Sequence, residues 1–270
     1  MKLTSRSWIA AAYLGVLVTL SLPAQTITSA DEVKAYNGFK AMAEKDNPMA
    51  QFFLGSCYDA GTGVKQDISL AATWYLKSAE NGFSMGQYAI ASCYSIGRGV
   101  PQDPSKAAFW FRKSADQGDA KAQCELGNCY FNGEGVPRDP RQAVVWFRKA
   151  ADQGNVIAQN NLAACLERGL GGIKDTFQAI EWYRKAAAQG LDLAQNNLGY
   201  AYANGEGVAK DEVEAYALYN LASLTCEAAR NNRAGLESKL SREEIAAGQR
   251  RTKEMQKEIE ARTTGKPKLK

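Results

Sequence analysis

The 270-residue chain contains no histidine. A Ser-His-Asp or Cys-His nucleophile needs an imidazole as its general base, and most catalytic zinc sites need one as a ligand, so these routes to hydrolase chemistry are excluded. A strong charge imbalance is also missing, because 33 basic residues stand against 29 acidic ones. The content of 45% hydrophobic and 23% charged residues indicates a folded protein rather than a disordered, collagenous or polytopic membrane one.

The N-terminus is apolar but lacks a run long enough to span a bilayer. Lys2 and Arg6 precede an uncharged stretch of 15 residues, whereas a membrane-spanning helix needs about 20. Small residues, Ala24 and Ala30, follow the stretch, and this layout is typical of a secretory signal peptide rather than of an uncleaved anchor. We therefore predict a signal peptide over residues 1–30, cleaved after Ala24 or Ala30, and an exported protein that is periplasmic or secreted.

Cleavage would leave a nearly neutral protein with 31 basic and 29 acidic residues. Such a balance gives no general attraction to nucleic acid or to an anionic membrane surface. No cysteine stands near either cleavage site to accept a lipid. We therefore expect no nucleic-acid partner and no stable membrane span after cleavage.

Residue types recur every 36 positions over most of the chain. Four columns show the period most clearly, each with one residue type in four or five copies. They are Gln51, Gln87, Gln123, Gln159 and Gln195; Gly63, Gly99, Gly135, Gly171 and Gly207; Asp67, Asp103, Asp139, Asp175 and Asp211; and Trp74, Trp110, Trp146 and Trp182. Five repeat units follow from this register.

Each unit is predicted to form two helices. In the third unit the first helix runs from Gln123 to a glycine pair, Gly133 and Gly135, where a positive φ costs little. The second helix starts at Asp139-Pro140, which supplies an N-cap acceptor followed by a proline at the first helical position. Because one hairpin cannot bury both of its apolar faces, neighbouring hairpins must stack.

Each unit resembles the Sel1-like repeat family, a relative of the tetratricopeptide repeats. The resemblance rests on the pattern A-Q-x-x-L-G-x-x-Y, followed by G-x-G-V, then D, and then A-x-x-W-Y/F-x-K-A-A. The resemblance implies an all-α, right-handed superhelical solenoid of five helix-hairpin repeats. We predict the repeats over residues 50–226, at 50–85, 86–121, 122–157, 158–193 and 194–226. A capping helix is expected in 31–49, capping helices in 227–262 and a disordered basic tail in 263–270.

Two units depart from the pattern. Four units carry a valine that matches the family's loop anchor: Val64, Val100, Val136 and Val208. The fourth unit has Gly172 at that place, and we expect Ile173 to move in and fill it. The fifth unit has Leu218 at the tryptophan position, as expected for a terminal unit with only one full neighbour.

In tetratricopeptide-like solenoids the first helices line a concave groove, so the resemblance implies a binding surface there. Stepping about 100° per residue from the core residue Leu54 places Phe52 on the face away from the core, together with equivalent positions in the other units. Exposed aromatic and apolar groups mark interaction sites. The candidate peptide-binding residues are Phe52, Tyr88, Cys124, Asn128, Asn160, Asn196 and Tyr200.

Two alternatives stay open at this surface. Asn160 and Asn196 are expected to be exposed amides that can pair with the backbone of an extended peptide, but they would equally tolerate solvent or bond a neighbouring turn. Phe52 and Tyr88 would contact a partner if they are exposed, or an adjacent helix if it covers them.

Other columns are predicted to be structural. The tryptophans, each followed by Tyr or Phe, are placed in the core rather than in a ligand-stacking site. The lysines that follow them are placed on a solvated face that complements helix C-termini rather than in a site for acidic ligands. These lysines are Lys77, Lys113, Lys149 and Lys185.

The cysteines are predicted to be free thiols rather than disulfides. Cys57, Cys93, Cys129 and Cys165 share one column, and equivalent positions of packed helices lie about 10 Å apart, beyond the roughly 7 Å between Cα atoms that a disulfide allows. Cys124 alone is predicted to lie on the groove face, which makes it the candidate for a reactive thiol.

These features favour a non-enzymatic scaffold without cofactor or metal that binds a peptide or protein segment in the groove. Some Sel1-like proteins are described as weak β-lactam hydrolases or penicillin binders, but this chain has no Ser-x-x-Lys motif and no histidine to hold zinc, the two usual routes to that chemistry. Besides β-lactam binding or hydrolysis, the alternative is a structural envelope or host-interaction protein that acts through its convex face and its C-terminal tail, the only basic region.

Overall fold

The computed structural model describes residues 29–263. Within this range the chain forms thirteen helices and no strands. The predicted signal peptide, apart from its last two residues, and the predicted basic tail, apart from its first, lie outside the described residues. The helices are, in chain order, α1 Ser29–Ala43, α2 Pro48–Ala60, α3 Ile68–Glu80, α4 Ser84–Ile96, α5 Pro104–Asp116, α6 Ala120–Asn132, α7 Pro140–Asp152, α8 Val156–Arg168, α9 Thr176–Ala187, α10 Asp192–Asn204, α11 Glu212–Ala222, α12 Glu227–Glu237 and α13 Arg242–Thr263.

The chain divides into two compact units, Met1–Arg138 and Asp139–Lys270. Within the first unit, each helix from α1 to α6 packs against the next one in the chain. Within the second unit, α7 to α12 pack in the same sequential way, and α13 packs against α11. The prediction of an all-α chain built from stacked helix hairpins is therefore confirmed. No helix within residues 29–263 combines the length and the apolar character needed to cross a membrane.

Local capping fixes where the helices start and end. The first backbone N–H groups of a helix lack intrahelical partners, and a side-chain oxygen at the N-cap satisfies one of them. Every second helix of a hairpin has such a cap, at Asp67, Asp103, Asp139, Asp175 and Asp211. Every first helix ends at a left-handed glycine, at Gly61, Gly97, Gly133, Gly169 and Gly205.

The repeated glutamines connect successive hairpins. Gln51 is 1% exposed, and its Nε2 donates a hydrogen bond to the Ala43 carbonyl at the end of the preceding helix. The same bond recurs in the other four units, with N···O distances of 3.2–3.3 Å, from Gln87 to Ala79, Gln123 to Ala115, Gln159 to Ala151 and Gln195 to Ala187. These bonds occupy backbone acceptors that a helix end otherwise leaves unpaired.

The tryptophan column is buried in the second unit and half-buried in the first. Trp146 is 4% and Trp182 is 8% exposed, as predicted for core residues, whereas Trp74 and Trp110 keep part of the ring at the surface. The core prediction therefore holds fully for only two of the four.

The lysine column does more than face solvent. The Nζ atoms of Lys77, Lys149 and Lys185 lie 4.3, 3.9 and 3.8 Å from the ring centroids of Trp74, Trp146 and Trp182. A residue three positions further along a helix lies on the same face, so each lysine covers the tryptophan of its own helix and makes a cation–π contact. The three lysines are exposed and stand in the last turns of their helices, as predicted, and the contact with tryptophan is an additional role.

The loop of the fourth unit also differs from its prediction. Ile173 is 91% exposed and does not fill the place of the missing valine. Gly172, which stands at the valine position, has open space where a side chain would begin. No apolar side chain therefore takes the place of the valine anchor in this loop.

Candidate functional site

A surface cleft of about 610 Å³ opens in the first unit along α2 and α4 and reaches the start of α6. Its walls come mainly from the first helices of consecutive hairpins, where the family resemblance implies a binding surface. We name it the first-helix cleft and define it by Phe52, Asp59, Met85, Tyr88, Ser92, Ile96 and Arg98.

Two half-buried aromatic side chains form the rigid part of the first-helix cleft. The Phe52 ring centroid lies 5.7 Å from that of Tyr75 and 5.7 Å from that of Phe83, and Tyr88 lies 5.8 Å from Phe111. Burial raises the pKa of Tyr88, so its hydroxyl stays protonated at neutral pH. Because second-helix aromatics hold both rings, they present fixed apolar faces.

Flexible apolar side chains surround these rings at the surface. Met85 is 46% exposed and Ile96 is 70% exposed, and both line the same cleft. Met adapts to irregular surfaces because its side chain is unbranched and polarizable. Adjoining exposed apolar groups of this kind are a common mark of an interaction surface.

An ion pair provides the polar end of the cleft. The Arg98 Nε and Nη2 atoms lie 3.1 and 2.7 Å from Asp59 Oδ1, and this hydrogen bonding raises the pKa of the Arg98 guanidinium. The two side chains are 48% and 33% exposed, so solvent screening limits the stability they contribute to at most about 1 kcal/mol. Their effect is to fix a guanidinium beside the apolar surface.

Ile96 and Arg98 were not among the residues predicted for this surface. Helical periodicity assigns faces only within a helix, and these residues stand at the last position of α4 and in the loop after it. The sequence feature that marks Arg98 is its position between Gly97 and Gly99, in the turn that follows the first helix of the repeat.

The asparagines of the second unit bond their neighbours. Asn160 is 8% exposed, and its Oδ1 accepts a hydrogen bond from Asn197 Nδ2 at 3.2 Å. Asn196 is half-buried and accepts one from Asn232 Nδ2 at 3.0 Å. The prediction that Asn160 is an exposed amide is wrong, because a side chain of the next first helix covers it.

Tyr200 and Asn196 line a separate depression of about 500 Å³ in the second unit. Tyr200 is 48% exposed, and the other lining side chains are mostly charged, among them Glu167, Arg168 and Lys174. This depression is more polar than the first-helix cleft and offers a partner little apolar surface to bury.

The prediction that Cys124 lies open on the binding face is also wrong. Its side chain is 4% exposed, and burial raises the pKa of its thiol to about 12. A thiol must ionise to act as a nucleophile, so Cys124 is not a reactive cysteine. The neighbouring candidate, Asn128, is half-buried and donates to Glu125 Oε2 at 3.1 Å.

The six cysteines are free, and five of them are buried. Burial is the main cause that raises the pKa values of Cys57, Cys93, Cys129 and Cys165 to about 11. Within residues 29–263 no group of three or more acidic or cysteine side chains is placed to hold a metal ion.

Two carboxylates that line these surface depressions, Asp59 and Glu167, have partners of their own. Asp59 is engaged by Arg98, and Glu167 accepts a hydrogen bond from the Tyr183 hydroxyl at 3.2 Å. The arrangement around each is that of a structural contact rather than of an acid–base pair.

Comparison with known proteins agrees with the repeat architecture. The chain is similar in structure to a protective antigen of uropathogenic Escherichia coli strains that displays an SLR fold, with 35% identity and a TM-score of 0.80 over 98% of this chain. The match covers 56% of the antigen, so the chain spans little more than half of that protein's length. It is also similar to a Sel1 repeat protein from Oxalobacter formigenes, with 29% identity, a TM-score of 0.69 and coverage of 77% of this chain and 80% of the other.

No curated protein matches the chain. The family model for the Sel1 repeat matches it five times in succession, at residues 48–83, 84–119, 120–155, 156–191 and 192–224. The matched segments cover the helix hairpins from α2 to α11. The chain therefore belongs to the Sel1 repeat family.

Proposed function

We propose that this chain is a non-enzymatic interaction scaffold whose first-helix cleft binds an apolar segment of a protein or peptide. The observation that carries the proposal is the combination of fixed aromatic faces, Phe52 and Tyr88, with exposed Met85 and Ile96 in one cleft. Exposed apolar surface of this kind gains free energy when a partner covers it.

The chemistry of the cleft describes its occupant. Bulky apolar side chains of a partner would pack against Phe52 and Tyr88, with Met85 adapting to their shape. A guanidinium carries five N–H donors, and Asp59 engages only two nitrogens of Arg98. The remaining donors can bond a backbone carbonyl of the partner and so fix its register.

The location of this function belongs to the same proposal. The basic residues, short apolar stretch and small residues in 1–30 support export to the periplasm or the medium after cleavage. The five repeats would then act between capping helices at 31–49 and 227–262. The absence of histidine from the whole chain supports a non-enzymatic role.

Charge placed in the cleft should abolish partner capture. Met85 and Ile96 are exposed, so the double variant Met85→Asp/Ile96→Asp should fold normally. Each side chain contributes about 1.5–3 kcal/mol when fully buried by a partner, so we expect at least a tenfold loss of captured protein. The measurement is quantitative pull-down from the envelope and secreted fractions of the source bacterium with the cleaved protein as bait.

The matched control is Ile173→Asp/Phe177→Asp, which introduces the same charges at residues that are 91% and 76% exposed in the second unit. This variant should capture as much partner as the wild type. Equal recovery by all three proteins would show that the first-helix cleft does not bind the partner.

A further inference from the structure

The polar depression at Tyr200 lies in the second unit along α8 and α10 and has a volume of about 500 Å³. We name it the α10 depression and define it by Asn196, Asn197, Tyr200 and Glu206. The first-helix cleft lies in the first unit and shares no residue with it. The proposed scaffold function therefore does not use this surface.

Tyr200 presents an accessible ring at the α10 depression. The side chain is 48% exposed, and among residues 29–263 no aromatic ring or cation stacks on it. Phe52 and Tyr88 of the first-helix cleft, in contrast, pack against other rings. A ligand with an apolar face therefore gains free energy by covering the Tyr200 ring.

The charged groups at the α10 depression balance one another. Arg168 and Lys174 supply two positive charges, and Glu167 and Glu206 supply two negative ones. A surface without net charge favours neither an anion nor a cation, and covering these charged groups with a wholly apolar ligand would cost free energy. The depression is therefore suited to a neutral ligand that carries many polar groups.

Two neighbouring amides offer such a ligand a donor and an acceptor. Asn196 Oδ1 accepts a hydrogen bond from Asn232 Nδ2 at 3.0 Å, so the Asn196 N–H groups are not used in this contact. Asn197 Nδ2 donates to Asn160 Oδ1 at 3.2 Å, which leaves Asn197 Oδ1 as an acceptor. Asn196 and Asn197 line the depression and are half-buried, and neither remaining group is a buried atom without a partner. Both groups therefore reach solvent, in amides whose orientation is already fixed.

Two carboxylates at the α10 depression are also held in place. Glu167 Oε2 accepts a hydrogen bond from the Tyr183 hydroxyl at 3.2 Å, so the other carboxylate oxygen remains for a ligand. Glu206 lies in the turn after α10, where its backbone N–H donates to the Ala201 carbonyl at 3.0 Å. A hydroxyl group both donates and accepts, and its hydrogen bond to a carboxylate is a strong one. The depression thus surrounds an aromatic face with groups that bind hydroxyls.

We propose that the α10 depression binds a neutral saccharide of β-linked pyranose rings with equatorial hydroxyl groups. The axial C–H bonds of such a ring form a flat apolar face, which covers Tyr200. The equatorial hydroxyls extend from the rim of the ring, where they meet the amides of Asn196 and Asn197 and the carboxylate of Glu206. The volume of about 500 Å³ lies within the range of roughly 300–1,000 Å³ for small ligands, so a short saccharide or the end of a chain fits.

Saturation-transfer NMR with cellobiose and the full chain tests the proposal. We expect saturable transfer to the C–H protons of the pyranose rings. Sorbitol carries similar hydroxyls but has no pyranose face, so it should show no saturable transfer. Methyl β-glucuronide adds a carboxylate to the ring of methyl β-glucoside and should bind no more tightly than it. Equal transfer to sorbitol, tighter binding of the glucuronide, or no saturable transfer to cellobiose at tens of millimolar would overturn the proposal.

Variants at the ring provide a second test. Tyr200→Ala should weaken cellobiose binding by about tenfold, whereas Tyr200→Phe keeps the ring face and should bind within about twofold of the wild type. Equal binding by Tyr200→Ala and the wild type contradicts the assignment. Should Tyr200→Ala fail to fold, the comparison of cellobiose with sorbitol on the wild type still decides.

The control variant is Met85→Asp/Ile96→Asp, which changes only the first-helix cleft. It should lose the protein partner and bind cellobiose like the wild type. A failure of the saccharide site is therefore distinguishable from a failure of the scaffold function, and loss of cellobiose binding in this folded variant would place the saccharide elsewhere than the α10 depression.

Discussion

Replacing Gly135 with alanine is expected to lower the free energy of unfolding by about 3 kcal/mol. Gly135 has φ +71°, and a Cβ built there would overlap the Pro104 carbonyl at the start of α5. The left-handed backbone alone costs a non-glycine residue about 1–2 kcal/mol, and the overlap forces the loop away from α5. Urea denaturation followed by circular dichroism measures the loss.

Gly118→Ala is the matched control, since Gly118 also has a positive φ, +95°, but nothing lies within 4 Å of a Cβ built there. It should cost only about 1 kcal/mol. Equal losses in the two variants would mean that close packing of the loop on α5 does not contribute. A Cβ built on Gly63 would likewise overlap the backbone of Glu32, and one built on Gly99 would overlap the backbone of Ile68.

Trp146→Ala should destabilise the protein by about 3–5 kcal/mol. The indole is 4% exposed and is covered by Lys149, so its removal leaves a cavity in the second unit and exposes the lysine stem. Thermal and urea unfolding of the variant give the magnitude. Phe177→Ala is the control because that ring is 76% exposed and should change stability by less than about 0.5 kcal/mol. A melting curve unchanged by Trp146→Ala would refute the core placement.

The helices and their limits could be predicted because their signals are local. Each Asp at a second-helix start caps the turn that follows it, and each glycine after a first helix adopts the left-handed conformation that ends it. These interactions connect residues a few positions apart, so the 36-residue period displays them directly. Helical geometry fixes the direction of a side chain, so the same period predicts that Phe52 and Tyr88 lie on one face of the first helices.

What covers a side chain could not be predicted in this way. Cys124 and Asn160 share one column with Phe52, Tyr88 and Asn196, which are half-buried, yet Cys124 and Asn160 are buried. Asn160 is covered because Asn197 reaches it from the next first helix, a contact between residues 37 positions apart.

Photocrosslinking from inside the first-helix cleft shows whether a partner occupies it in the cell. A benzoylphenylalanine introduced at Met85, which is exposed and lines the cleft, is irradiated in living cells that express the protein, and the same residue at Phe177 serves as the control. An interaction scaffold should yield a discrete partner adduct from position 85 that is absent from position 177. The absence of an adduct from position 85, or the same adduct in equal yield from both positions, would contradict this role.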